Sequence, residues 1–102
     1  MARLSSLASV ADTRAVLDRF GLSTKKSLGQ HFLINDGVVE RICNLAELSH
    51  TDRVVEVGPG IGTLTEALLK RSGEVVSIER DTDLIEVLEE TCAPFSDTFS
   101  LI

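Results

Sequence analysis

Aromatic residues are scarce. The 102-residue chain holds no Trp, no Tyr and four Phe, so its core rests on aliphatic side chains. Cysteine is scarce too. Cys43 and Cys92 stand alone and far apart, which excludes a disulfide framework and a cysteine metal site and points to a reducing cytoplasm. His31 and His50 lack metal-ligand spacing, so no metal is expected. No apolar run approaches the length of a membrane span. Met1 to Val10 carries a single Arg and no long apolar region, which argues against a secretory signal, although mitochondrial presequences share its Ser- and Ala-rich make-up. The length allows one domain at most.

Positive charge is also in short supply, with 10 Lys and Arg against 16 Asp and Glu, a formal charge of −6. The deficit is uneven. Residues 1–31 carry Arg3, Arg14, Arg19, Lys25 and Lys26 against Asp12 and Asp18, a net of +3; the remainder carries −9. A basic N-terminal stretch on an acidic chain hints at nucleic acid contact. Glu86, Glu89 and Glu90 read as a solvated helix face.

What the chain does have is the run Val54-Val55-Glu56-Val57-Gly58-Pro59-Gly60-Ile61-Gly62-Thr63. A short β-rich segment stops at a glycine, and glycines follow at alternate positions. Leu64, Leu68 and Leu69 then open a helical period. This is a strand, a tight turn and a helix, and such a turn lets backbone N–H groups and a helix N-terminus approach a ligand closely. A dinucleotide fingerprint, G-x-G-x-x-G, would place glycine at Thr63. Here the pattern is G-x-G-x-G with Glu56 two residues ahead. Val75-Val76-Ser77-Ile78-Glu79 reads as a second buried strand ending in a carboxylate. Glu79 lies about 20 residues past the glycines, the spacing at which a strand-end acid reaches a ribose diol.

Punctuation marks supply the rest of the organisation. Ser9 to Asp12 forms a capping box for a helix with Thr13, Val16, Leu17 and Phe20 inward, ended by Gly21. Residues 22–34 are irregular. Asn35 or Asp36 caps a second helix with Val38, Val39, Ile42, Cys43 and Ala46 on its buried side. After the first strand a helix spans about Thr63 to Ser72, with Gly73 as C-cap. Asp81 caps a third, acidic helix with Leu84, Ile85 and Leu88 inward. Pro94 breaks the chain, and Thr98 to Ile102 starts a third strand. Alternating strands and helices with buried strands predict an α/β fold with a doubly wound, mainly parallel sheet of the Rossmann type.

Ahead of the first strand stands Lys25-Lys26-Ser27-Leu28-Gly29-Gln30-His31-Phe32-Leu33, a string that no propensity argument demands. It resembles the K-K-S-L-G-Q-N/H-F-L signature of the rRNA adenine N6-dimethyltransferases, and the glycine turn resembles motif I of the S-adenosylmethionine-dependent methyltransferases. The segment from Thr13 to Leu22 resembles the N-terminal helix of the bacterial small-subunit (16S) members. The likeness runs from about Thr13 to the end of the chain.

The resemblance implies a class I methyltransferase domain with S-adenosyl-L-methionine as cofactor. Residues 1–34 would be an N-terminal helix and cofactor-covering segment, and residues 35–102 a partial Rossmann-like cofactor domain. Gly58, Gly60 and Gly62 would admit the methionine part of the cofactor, Glu56 would lie near its ammonium group, and Glu79 would hold the ribose hydroxyls. His31 and Leu33 would close over it; most relatives have Asn where His31 stands. Arg19, Lys25 and Lys26 are the phosphate-contact candidates. The implied activity is dimethylation of two adjacent adenines near the 3′ end of 16S rRNA on the assembling small subunit. The family's catalytic N-L-P-Y motif is not in this chain, so no catalytic residue is assigned. The expectation is an N-terminal part, truncated within the cofactor domain and inactive by itself. Three rival readings share some of these features. They are a macrolide-resistance type 23S rRNA adenine methyltransferase, an NAD-binding oxidoreductase fragment, and a non-catalytic binding protein of the same descent.

Overall fold

The computed structural model of the chain describes residues 5–22 and 35–102. Helix α1 spans Val10–Arg19, opened by Ser9, whose hydroxyl oxygen accepts the Asp12 N–H at 3.0 Å. Thr13, Val16 and Leu17 are its buried residues, and Gly21, at φ +71°, ends it. Helix α2 spans Asp36–Leu45, capped by Asn35, which accepts the Val38 N–H at 3.2 Å. The expected stripe is only partly inward. Val39 and Cys43 are buried, whereas Val38, Ile42 and Ala46 are exposed. Residues at i and i+4 share one face, so Val39 and Cys43 face the neighbouring helix while Val38 and Ile42 lie a step around the axis.

The sheet follows. Strand β1 (Arg53–Val57), helix α3 (Thr63–Arg71), strand β2 (Glu74–Ile78), helix α4 (Thr82–Thr91), a 3-10 turn at Ala93–Phe95 and strand β3 (Phe99–Leu101) succeed one another. The strands are parallel in the order β1-β2-β3, with Glu56 opposite Ser77 and Val75 opposite Phe99. The predicted α/β architecture with a parallel sheet is therefore present. Its strands are not buried on both faces, however. Val54 and Val75 join Val39, Cys43, Ala67, Leu68, Leu69, Leu88 and Cys92 in one core. On the other face Val55 is 62% exposed and Val57 79%, and Ile78 is also open. Among the described residues one layer of helices covers one face of the sheet, and an all-parallel sheet normally has both covered.

Gly73 is the second departure. It does not cap α3 through a left-handed conformation, because its φ is not among the positive ones; Ser72 ends the helix in extended backbone. Glycine stands here for space. A Cβ would lie 2.2 Å from the His50 carbonyl oxygen, where the chain passes under the loop ahead of β1.

A second apolar cluster joins Leu7, Val16, Leu17 and Leu22 to Leu84 and Val87 of α4 and to Ile61 in the glycine turn. Val87, fully buried, takes an inward place that the periodicity assigned to Ile85, which is half-buried. Ahead of α1, Ser6 donates its N–H and its hydroxyl to the buried Glu66 carboxylate of α3, at 3.1 and 3.0 Å. Residues 5–22 thus share a core with the sheet and seat α1 beside the turn.

Candidate functional site

The carboxyl ends of β1 and β2 lie side by side, and the turn after β1 leaves from there. The Gly58 N–H donates to the Ile78 carbonyl at 2.9 Å, and the Glu79 N–H donates to the Ile102 carbonyl at 3.2 Å. Ligands of open α/β sheets bind in this position. The turn itself needs its glycines: Gly58, Gly60 and Gly62 have φ of +71°, +63° and +98°. Gly62 is the N-cap of α3 and makes no side-chain cap bond, so the helix opens with bare backbone.

Two carboxylates converge on this turn from different depths. Glu79, half-buried, accepts the Gly60 N–H at 3.3 Å and the Asp81 N–H at 3.0 Å. It thereby ties the end of β2 to the glycine turn across 19 residues. Glu56 sits beneath. One of its oxygens accepts the Thr65 hydroxyl of α3 and, at 2.9 Å, the Ser77 hydroxyl of β2. Burial pushes the Glu56 carboxyl above the ordinary carboxylate range, the two hydroxyls oppose that shift, and the charge of Glu79 adds to it. The same acidity reaches Cys92, whose thiol is pushed up to about 11, first by burial and further by Glu56 and Glu66. This is a low-dielectric, negative surround, which favours a cationic group and disfavours a pyrophosphate.

The sequence-predicted residues fall into two groups. Glu56, Gly58, Gly60, Gly62 and Glu79 are brought together. His31, Leu33, Lys25 and Lys26 lie outside the described residues. Arg19 is placed elsewhere, at the end of α1, where its guanidinium pairs with Glu90 of α4 and lies 5.6 Å from the Phe20 ring centre. Among the described residues no His, Cys, Asp or Glu cluster could hold a metal, and no helix is long and apolar enough to cross a membrane.

Sequence reasoning missed the side chains that fix the turn. Thr65 and Ser77 hold Glu56, and Thr91 donates its hydroxyl to the Ile61 carbonyl at 2.8 Å. Ser77 left a trace, being a polar residue in an apolar strand, in register with the one acid of β1. Thr65 and Thr91 left none, because which way a helical hydroxyl faces depends on the packing angle.

Comparison with known proteins adds the family. The model of the ribosomal RNA adenine dimethylase family matches residues 21–98. A protein of Pediococcus pentosaceus described as ribosomal RNA small subunit methyltransferase A is 51% identical over 85 residues, covering 83% of this chain and 29% of the relative. One of the same description from Dehalococcoides mccartyi is 48% identical over 81 residues, 79% of this chain and 28% of the relative. The chain therefore spans under a third of the length of the curated relatives it matches. Among solved structures, the 23S rRNA methyltransferase ErmE superposes with a TM-score of 0.65 at 33% identity, over 71% of this chain and 29% of that one. A dimethyladenosine transferase from Plasmodium falciparum gives 0.62 at 28% identity, over 67% of this chain and 25% of that one.

Proposed function

The chain belongs to the ribosomal RNA adenine dimethylase family, and from that premise we propose that it is the cofactor-holding part of a small-subunit rRNA adenine N6-dimethyltransferase that uses S-adenosylmethionine. The observation that carries this reading is the pair of carboxylates, Glu56 beneath and Glu79 beside a glycine turn whose backbone is left-handed at alternate residues. The donor set fits a ligand with a cationic amino-acid end and a ribose. Bound there, S-adenosylmethionine supplies a methyl group on a positively charged sulfur.

The chain's own residues bind and orient. Glu79 accepts from vicinal hydroxyls, for which its two carboxylate oxygens are suited. Its bond to Gly60 is long, so little is lost when a hydroxyl takes that place. Glu56, held by two hydroxyls, presents fixed negative charge to an ammonium or sulfonium without reorganising. Gly58 keeps a side chain out of the open space beside them. His31 and Leu33 would cover the ligand from the segment joining α1 to α2. Lys25, Lys26 and Arg19 would meet RNA phosphates; Arg19 can exchange Glu90 for a phosphate because exposed ion pairs are weak. This chain covers under a third of the relatives' length, and the transfer to adenine in 16S rRNA, in the cytoplasm on the assembling small subunit, is proposed for the whole protein, with the acceptor-base groups of the family's N-L-P-Y motif assigned to no residue here. Curated relatives at 43–51% identity carry the small-subunit description, which favours that substrate over the 23S rRNA of ErmE.

Titration of the chain with S-adenosylmethionine, followed through the amide resonances of Gly58, Gly60 and Gly62, tests the reading, with NADH as the rival ligand. Saturable shifts with the first and none with the second are expected. Glu79→Ala should weaken binding by about 1.5–3 kcal/mol, the scale of hydrogen bonds to a charged group, and Glu79→Asp by less. Unchanged affinity in Glu79→Ala would refute the ribose assignment, and preference for NADH would refute the methyltransferase reading.

A further inference from the structure

The third glycine of the turn, Gly62, does not face the space between the two carboxylates. A Cβ on it would lie 2.8 Å from the Thr91 hydroxyl oxygen, 3.3 Å from Leu88 Cδ2 and 3.4 Å from the Cys92 sulfur. Leu88 and Cys92 are buried, so the last turn of α4 forms a wall directly behind the glycine turn. From that wall Thr91 donates its hydroxyl to the carbonyl of Ile61, itself fully buried and 30 residues earlier. At the other end of the same peptide unit, the Gly62 N–H donates to the Pro59 carbonyl at 3.1 Å. Both polar groups of the Ile61–Gly62 peptide are thus engaged, one within the turn and one on α4. The Pro59 carbonyl that accepts from Gly62 lies in the same planar peptide unit as the Gly60 N–H, which meets Glu79, so the Ile61–Gly62 unit, held at both ends, restrains that amide through this bond.

We infer that Thr91 is a positioning residue for the ligand site, fixing the turn through the Ile61 carbonyl, and that Gly62 is glycine for its left-handed backbone and because α4 closes on it, not because the ligand does. The inference rests on the reading of the turn as the S-adenosylmethionine site, but its geometric part stands on the free chain. The hydroxyl serves orientation: Thr91→Val keeps shape and volume and removes only the donor. Thr91→Ser keeps the donor and removes a methyl.

Two measurements on the full 102-residue chain separate the possibilities. Amide hydrogen exchange of the free chain should be faster at Gly60 and Gly62 in Thr91→Val than in the unaltered chain, with β2 and α3 unchanged, and Thr91→Ser should restore it. S-adenosylmethionine titration of the folded variants should show Thr91→Val about five- to tenfold weaker, the loss expected for one hydrogen bond, and Thr91→Ser within about twofold of the unaltered chain. A double-mutant cycle adds the role of Gly62: Gly62→Ala should be partly rescued by Thr91→Ala, since the obstructing oxygen is then gone. Unaltered exchange at Gly60 and Gly62 in Thr91→Val overturns the inference, and so does equal affinity in a folded Thr91→Val. Complete loss of fold in Thr91→Val would make the hydroxyl a general stability element and overturn it too. Failure of the unaltered chain to bind S-adenosylmethionine would instead sink the functional reading, while the exchange data still decide the geometry.

Discussion

Replacing Gly73 by alanine adds one methyl group where, among the described glycines, another stretch of backbone passes nearest. The Cβ would sit 2.2 Å from the His50 carbonyl oxygen and 3.2 Å from that of Asp52. The first distance is more than about 1 Å inside ordinary contact, and the obstacle is backbone, so no rotamer relieves it. The loop ahead of β1 has to shift. That loop supplies the Asp52 carbonyl, which accepts the N–H groups of Gly73 at 2.9 Å and Glu74 at 3.2 Å and starts the pairing of β1 with β2. Overpacking costs about 1–3 kcal/mol. Each weakened hydrogen bond adds about 0.5–1.5 kcal/mol. The sum, about 2–6 kcal/mol, is a large part of the stability of a domain this size, and at about 4–8 °C per kcal/mol it lowers Tm by roughly 8 °C or more. Gly58→Ala is the matched control. Its Cβ would meet nothing within 4 Å, but its φ is +71°, so the cost is backbone strain of about 1–2 kcal/mol. Thermal melts by circular dichroism rank the two. If Gly73→Ala melts at or above Gly58→Ala, space is not the reason for glycine at 73 and the crossing is wrongly drawn.

Glu56 makes stability depend on pH with a definite sign. Its folded carboxyl is raised by burial, so the folded state holds the proton more tightly than the unfolded one, and the Glu56 contribution is lost as pH rises from the ordinary carboxyl value of 4.5 through the folded value. Urea midpoints across that window should therefore fall with pH for the unaltered chain relative to Glu56→Gln; a relative rise would refute the buried placement. On the open sheet face, Val55→Thr with Val57→Thr should reduce self-association in sedimentation while changing Tm little, because both side chains are already exposed. A large loss of Tm would mean that something covers them.

The sequence exposed what depends on local pattern. Ser9, Asn35 and Asp81 each cap the helix that their position announced, because a cap is a contact within three residues. The glycine turn was equally visible, since no other residue type accepts that run of positive φ. What failed involved the third dimension. Gly73 looked like a helix stop and is a crossing point, and only the path of the chain at His50 distinguishes the two. Val38 and Ile42 satisfied the helical period yet lie exposed, because a period gives the width of an apolar stripe and not how much of it a neighbour covers. In the site, the charged residues and glycines were legible by type, whereas the hydroxyls that hold them were not. Thr65, Ser77 and Thr91 are ordinary helix and strand residues until packing turns them toward Glu56 and Ile61.

Those hydroxyls explain how an acidic turn can exist without ligand. Two carboxylates beside one another in a half-buried site repel, and the raised Glu56 carboxyl records that repulsion on top of burial. The strain is bearable because each charge has donors of its own. Glu56 has two side-chain hydroxyls, fixed by α3 and β2, and Glu79 has two backbone N–H groups. The two sets are unequal. The donors of Glu56 come from buried, packed residues and stay in place. One donor of Glu79, the Gly60 N–H, stands at a long 3.3 Å in the half-buried middle of the turn, and it is the one a ligand hydroxyl can replace. A cation arriving between the carboxylates then relieves their repulsion at the same time as a diol satisfies Glu79. Binding at this turn is therefore favoured twice by one molecule carrying both groups. A ligand carrying only one of them gains only one of the two contributions.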